Sequence, residues 1–224
     1  MSFSGENLYT NARKKYLKDF DKFNKNYYKL IEDYDWIKVV SSFLKPESFY
    51  HYFREKTSLK YIKSVTKSKH LKALDAGCGT GLILRHLSSN SIGIDINPRH
   101  VYKARTYCKP RKIYLRDIEN TKFRSDTFNI IVCFETLEHI LYPEKVISEF
   151  KRILKSGGVL IGSVPFRSPL WLLRILSFSH PHNEPFHREF NEKEFRTLLD
   201  NKLKLLKLQK EIFGLNLYFI AQKK

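Results

Sequence analysis

The stretch Leu71-Lys-Ala-Leu-Asp-Ala-Gly-Cys-Gly-Thr-Gly-Leu82 decides the fold. A run of strand character, Leu71–Leu74, leads into Asp75 and then into three glycines spaced two apart, Gly77, Gly79 and Gly81. A helix is expected after them, over residues 80–90. Glycine reaches positive φ without a Cβ penalty and lets a ligand lie against bare backbone beside a helix N-terminus. A dinucleotide loop needs spacings of two and then three to seat a pyrophosphate. Position 82 is Leu, so the spacing argues against a nicotinamide enzyme and favours a ligand without phosphates.

Outward from that loop, short apolar runs alternate with amphipathic stretches. Leu71–Leu74, Ser91–Ile94, Lys112–Leu115, Phe128–Phe134 and Val159–Val164 are expected strands; residues 80–90, 98–108, 142–155 and 191–200 are expected helices. Strand alternating with helix implies a parallel α/β sheet covered on both faces, with ligands at the carboxyl ends of its strands. The second strand ends at Asp95-Ile96, where an acid can accept both hydroxyls of a ribose. After the third come Asp117 and Ile118, a carboxylate for an exocyclic amine and an apolar cover for a purine face. Singly, a strand-end Asp is commonly a helix cap. Together, three acids after three successive strands form a nucleoside site.

The order LDAGCGTG, GIDI and YLRDIENTKFRSDTFNIIVCFETLEHILYPEKVISEFKRILKSGGVLIGSVP resembles the class I methyltransferases that use S-adenosylmethionine, and within them the broad type 11 group containing the ubiquinone-biosynthesis O-methyltransferases. The likeness covers about residues 71–165. It implies a doubly wound, mostly parallel seven-stranded Rossmann-like sheet with an N-terminal helical extension. It also implies S-adenosyl-L-methionine as cofactor, with Asp75, Gly77, Cys78, Gly79 and Gly81 beside its methionine portion. Asp95 and Ile96 would then meet the ribose, Asp117 and Ile118 the adenine, and Phe134 the border of the site after strand four. Arg54 is a candidate for an arginine that some relatives place at the cofactor carboxylate. Strand four ends in Cys-Phe-Glu-Thr-Leu-Glu-His139 and carries no Asn/Asp-Pro-Pro-aromatic tetrapeptide, which counts against methylation of DNA amino groups. His139 reads as a structural hydrogen-bonding residue, and Phe128-Asn129, in place of a commoner Phe-Asp, as a changed turn contact.

Beyond strand five lies an insertion over residues 166–190. Its polar part places His180, His182, Glu184 and His187 within eight residues. Oxygen acceptors of moderate pKa need deprotonation, commonly by His or Glu. His187 and His182 are therefore the candidate bases or substrate-orienting residues, with a loop hydrogen-bonding cluster as the alternative. Pro181 and Pro185 interrupt helical ligand spacing, so no metal site is assigned. Asn191 with Glu194 forms the signature of a capped helix start directly after His187. The apolar part, Pro169–Phe178, is expected to wall the acceptor pocket or to meet an anionic membrane.

Residues 1–65 read as a helical cap ahead of a cofactor-binding domain at 66–224. In the cap, Tyr16, Phe20, Phe23, Tyr27, Leu30 and Tyr34 recur at steps of four and three among lysines, one apolar stripe expected to pack on the domain behind, with the lining of a substrate pocket as the alternative. A second aromatic segment follows Pro46. The net charge of the 224 residues is +18, but the excess is +7, +6 and +5 over residues 1–70, 71–165 and 166–224. An even excess describes a basic surface, not a nucleic-acid-binding tail. The densest run is Arg99–Lys112. Three scattered cysteines and no long apolar run suggest a reduced, cytoplasmic protein. The expected function is methyl transfer to a small-molecule or lipid-like acceptor at oxygen. An RNA methyltransferase and a non-catalytic binding protein on the same fold are the rival readings.

Overall fold

A computed structural model describes residues 5–31, 35–41, 46–66, 71–169, 184–200 and 202–224. Seven strands form one sheet: β1 (Ala73–Ala76), β2 (Ile92–Asp95), β3 (Lys112–Leu115), β4 (Phe128–Phe134), β5 (Leu154–Pro165), β6 (Lys204–Glu211) and β7 (Asn216–Gln222). Their order is β3-β2-β1-β4-β5-β7-β6. The first five are parallel, and the β6–β7 hairpin adds antiparallel to β5. The helices are α1 (Gly5–Leu30), α2 (Trp36–Ser41), α3 (Pro46–Val65), α4 (Pro98–Tyr107), α5 (Pro143–Ile153) and α6 (Glu192–Asp200).

Both faces of the sheet are covered, as its continuous apolar strands require. On one face Leu74, Ile131 and Cys133 pack with Val146, Ile147 and Phe150 of α5 and Phe195 of α6. On the other, Ile130, Val132 and Tyr218 pack with Tyr61 of α3 and with Val101 and Ala104 of α4. Alternation along β4 thus sends successive side chains into two cores. Three helices begin with proline at their first position, where its missing N–H costs nothing. The capping box before α6 forms: Asn191 Oδ1 accepts from Glu194 N–H at 2.9 Å, and Asn191 N–H donates back to Glu194 Oε2 at 3.3 Å.

Two expectations are corrected. The segment after the glycine loop holds only a short 3₁₀ turn, Leu84–His86, and not a helix over 80–90. Only six residues separate Gly81 from Ser88, whose hydroxyl ties the chain to Leu71 O and Ser91. That is too short to repay helix nucleation. The aromatic stripe of α1 also faces the domain only in part, through the half-buried Phe20, which meets Phe186, and Tyr27. The helix docks by the adjoining polar face, with Asn24 buried, while Tyr16, Phe23 and Leu30 stay exposed.

Candidate functional site

The glycine loop curls over the carboxyl end of β1. Gly77, Gly79 and Gly81 have φ of 76°, 51° and 98°. Gly77 N–H and Cys78 N–H both donate to Ile94 O at 2.9 Å, so the loop is sewn to β2. A Cβ on Gly77 would stand 2.5 Å from Thr136 Oγ1, and one on Gly81 would collide with Cys108 Sγ. Both positions therefore need glycine for space as well as for φ.

The acids converge beside the loop. Asp95, at the end of β2, accepts from Gly79 N–H through Oδ2 and from Asn97 N–H through Oδ1, each at 2.8 Å. Asp117, after β3, accepts from Glu119 N–H at 2.8 Å and pairs with Lys25 Nζ at 3.2 Å. Asp75 is fully buried in β1. Burial first, and then the charge of Asp95, push its carboxyl up to about 8, while the Leu84 N–H acts in the opposite direction. Among the described residues, four buried atoms along the ends of β1 to β3 have no hydrogen-bond partner: Asp75 Oδ2, Thr80 Oγ1, His100 Nε2 and Glu119 Oε1. Orphaned buried polar atoms are rare in a finished interior and mark a place where a polar ligand completes the bonding. Ile96 is half-buried, Ile118 is buried within the α5-side core, and Phe134 lies beside Tyr218 with ring centroids 6.0 Å apart.

Helix α1 closes this edge through side chains that the sequence did not single out. Asn97 is the key one. Its Oδ1 caps α4 by accepting from Arg99 and His100 N–H, and its Nδ2 donates to Tyr28 O and Ile31 O at the end of α1. The Asn-Pro sequence signals the cap of α4, but nothing local signals the second role. Lys25 joins Asp21, Asp117 and Glu119. Burial works against its charge, yet the bond to Glu119 and the three carboxylates hold the ammonium above its ordinary value.

On the acceptor side, α1 meets the end of β4. Asn24 Nδ2 donates to His139 O at 2.8 Å, and Tyr28 OH lies 2.9 Å from His139 Nδ1 and 3.0 Å from Phe186 O. His187 stacks edge-on against His139 with ring centroids 5.4 Å apart. It also lines an open cleft of about 610 Å³ with Leu141, Arg167, Phe186, Arg188 and Glu189. His182 lies outside the described residues, as does most of the apolar stretch 169–178. Burial raises the pKa values of Glu138, Tyr50 and Tyr218, and the nearby Arg54, on α3, opposes part of that rise at each. Behind these, Glu135, at φ 50°, accepts from Ser163 Oγ at 2.6 Å and Asn216 Nδ2 at 3.0 Å. Burial and neighbouring Glu135 keep Glu138 protonated well above the carboxylate range.

A parallel sheet with an antiparallel final hairpin, a glycine cradle after β1 and acids at or just past the ends of β1, β2 and β3 give the chain a Rossmann-like methyltransferase fold. Residues 74–162 match the methyltransferase domain family. The chain is 30% identical over 112 residues to the ubiquinone biosynthesis O-methyltransferase of Coxiella burnetii, covering 47% of this chain and 48% of the relative. It is 29% identical over 168 residues to the sterol 24-C-methyltransferase of Clavispora lusitaniae, covering 65% and 43%. It thus spans about half the length of the curated relatives it matches. The magnesium protoporphyrin IX methyltransferase of Synechocystis PCC 6803, solved with S-adenosylhomocysteine bound, superposes with a TM-score of 0.69. That likeness covers 91% of this chain and 99% of the other at 16% identity, so it speaks for the fold.

Proposed function

We propose that the protein transfers a methyl group from S-adenosylmethionine to an oxygen of a small-molecule or lipid-like acceptor. The observation that carries this reading is the row of orphaned polar atoms around a loop of three positive-φ glycines, a cradle shaped for a nucleoside. Its residues fit the cofactor. Gly77, Cys78, Gly79 and Gly81 would face its methionine portion, Asp95 its ribose, and Asp117 its adenine, with Asp75 completing the floor. Burial leaves Asp75 protonated near neutrality, and a cationic ligand end nearby would restore its charge. When bound, S-adenosylmethionine supplies a methyl already activated by the sulfonium charge. What remains for the protein is to hold the acceptor in line, an effect worth roughly 7–11 kcal/mol of barrier.

His187 is the proposed base, set in the cleft wall and braced by His139, which Tyr28 orients in turn. Residues 1–65 act as a cap, closing the site through Asn24, Lys25 and Tyr28. A lipid-like acceptor is supported by the sterol and ubiquinone chemistry named for the curated relatives. The test is calorimetry with S-adenosylhomocysteine, followed by incubation with methyl-labelled cofactor and fractionated cell extract. Binding that is lost in Asp95→Ala, with label entering the lipid or small-molecule fraction, is expected. Binding unchanged in Asp95→Ala removes the cofactor assignment, and label only in RNA or protein removes the acceptor class.

A further inference from the structure

The exposed stripe of α1 has no role in the chemistry above, yet it is the most apolar unburied feature of that helix. We infer that it docks the protein on an anionic lipid bilayer. Residues 16, 23 and 30 are seven apart and so fall nearly on one line of a helix with 3.6 residues per turn. They are Tyr, Phe and Leu, exposed to 68%, 59% and 73%. Phe20 and Tyr27 lie between them and complete a continuous apolar strip. The helix is held to the domain one position round, by Asn24, Lys25 and Tyr28, so Tyr16, Phe23 and Leu30 are left facing outward while α1 itself is fixed. Lys15, Lys18, Lys22 and Lys29 are all exposed and fall on one flank of the helix at about 100° per residue, with Asp19 and Asn26 between them and the strip. An apolar strip edged by lysines is the pattern of a helix that lies in a membrane interface.

Charge selects the occupant. A second copy would bring another +18 against the same lysine row, whereas an anionic surface is attracted by it. Nucleic acid fits less well. Leu30 offers no ring, and Tyr16 and Phe20 are stacked on each other with planes 14° apart. Position points the same way. Phe20 meets Phe186 at 6.4 Å, and Phe186 lines the cleft beside His187. A bilayer under the strip would lie at the mouth through which a lipid-like acceptor enters, so the choice of occupant rests in part on the acceptor class proposed above.

Flotation with phosphatidylcholine vesicles, with and without phosphatidylglycerol, tests this directly and needs no cofactor. The native protein is expected to float only with phosphatidylglycerol, less so as salt rises. Each lysine near such a surface contributes roughly a fivefold gain in affinity. The combined variant Tyr16→Ser, Phe23→Ser, Leu30→Ser should lose at least tenfold in vesicle binding while keeping its affinity for S-adenosylhomocysteine, which reports an intact fold. Lys15→Glu with Lys22→Glu should lose binding to the anionic vesicles alone. Vesicle binding that the triple variant keeps, or no binding by the native protein, overturns the inference and leaves methyl transfer untouched. So does a native dimer, or an RNA complex, that the triple variant abolishes. Vesicle binding without any cofactor affinity would instead overturn the proposed function and spare the surface.

Discussion

Replacing Asp75 by Asn removes one titrating group and keeps its shape. In the folded protein the Asp75 carboxyl is pushed up to about 8, against an ordinary 3.8, by burial and by Asp95. A raised pKa in the fold means that the folded state keeps a proton the unfolded chain gives up above pH 3.8. Stability is therefore complete below that pH and declines through the interval up to about 8, at about 1.4 kcal/mol for each pH unit. By pH 7 the accumulated loss is on the order of 4 kcal/mol, a large share of the roughly 5–15 kcal/mol that holds a domain folded. In Asp75→Asn that slope is absent. Part of the gain is offset because the new amide NH₂ meets the same partnerless surroundings as Oδ2, at a cost of about 1–3 kcal/mol. Urea unfolding of both proteins at pH 5, 6, 7 and 8 separates these effects, since titrating groups not coupled to Asp75 cancel in the difference. The variant should gain on the native protein at each step upward in pH, and its affinity for S-adenosylmethionine should fall. Parallel stability curves for the two proteins would refute the reasoning.

Three further outcomes are expected. Gly81→Ala should destabilise by about 2–4 kcal/mol, from a strained positive φ and a collision with Cys108 Sγ. Adding Cys108→Ala should recover the collision part in thermal unfolding, and no recovery would mean that the clash is not the cause. Asn97→Asp keeps the cap on α4 but turns an acceptor toward Tyr28 O and Ile31 O. Limited proteolysis should then cut α1 at least tenfold faster with α4 unaffected, whereas unchanged cutting would show that α1 is held by other bonds. His187→Ala should lower turnover by 10²–10⁴-fold with S-adenosylhomocysteine affinity unchanged. Full turnover would pass the base role to another group.

What was legible in the sequence was whatever short-range chemistry dictates. The spacing of Gly77, Gly79 and Gly81 implied positive φ, and each has it. The alternation of apolar runs gave the parallel half of the sheet, and Asn191 with Glu194 gave the start of α6. What was hidden depends on partners far along the chain. Lys25 reads as one lysine among many until Asp117 and Glu119, more than ninety residues on, are folded against it. The α1 stripe misled for a related reason. Periodicity identifies an apolar face but not its neighbour, and here three polar side chains on the next face, Asn24, Lys25 and Tyr28, found partners at or just past the strand ends. The basic run Arg99–Lys112 is likewise partly spent inside the fold, with Arg105 donating to Ile113 O, Arg111 to Leu87 O, and Lys103 paired with Asp35.

One small feature has a wide reach. Phe166 and Phe190 form an isolated β-bridge, and Arg167 N–H donates to Phe190 O while Phe190 N–H donates to Pro165 O, both at 2.9 Å. The bridge closes the chain between them into a loop whose two ends are held together whatever its length. Loop-closure entropy rises only about 0.6 kcal/mol per doubling of length, which makes lengthening it nearly free. The bridge acts as a socket. On the proposed function, a chimera carrying a relative's residues between the two phenylalanines should fold as this chain does and differ in what it methylates.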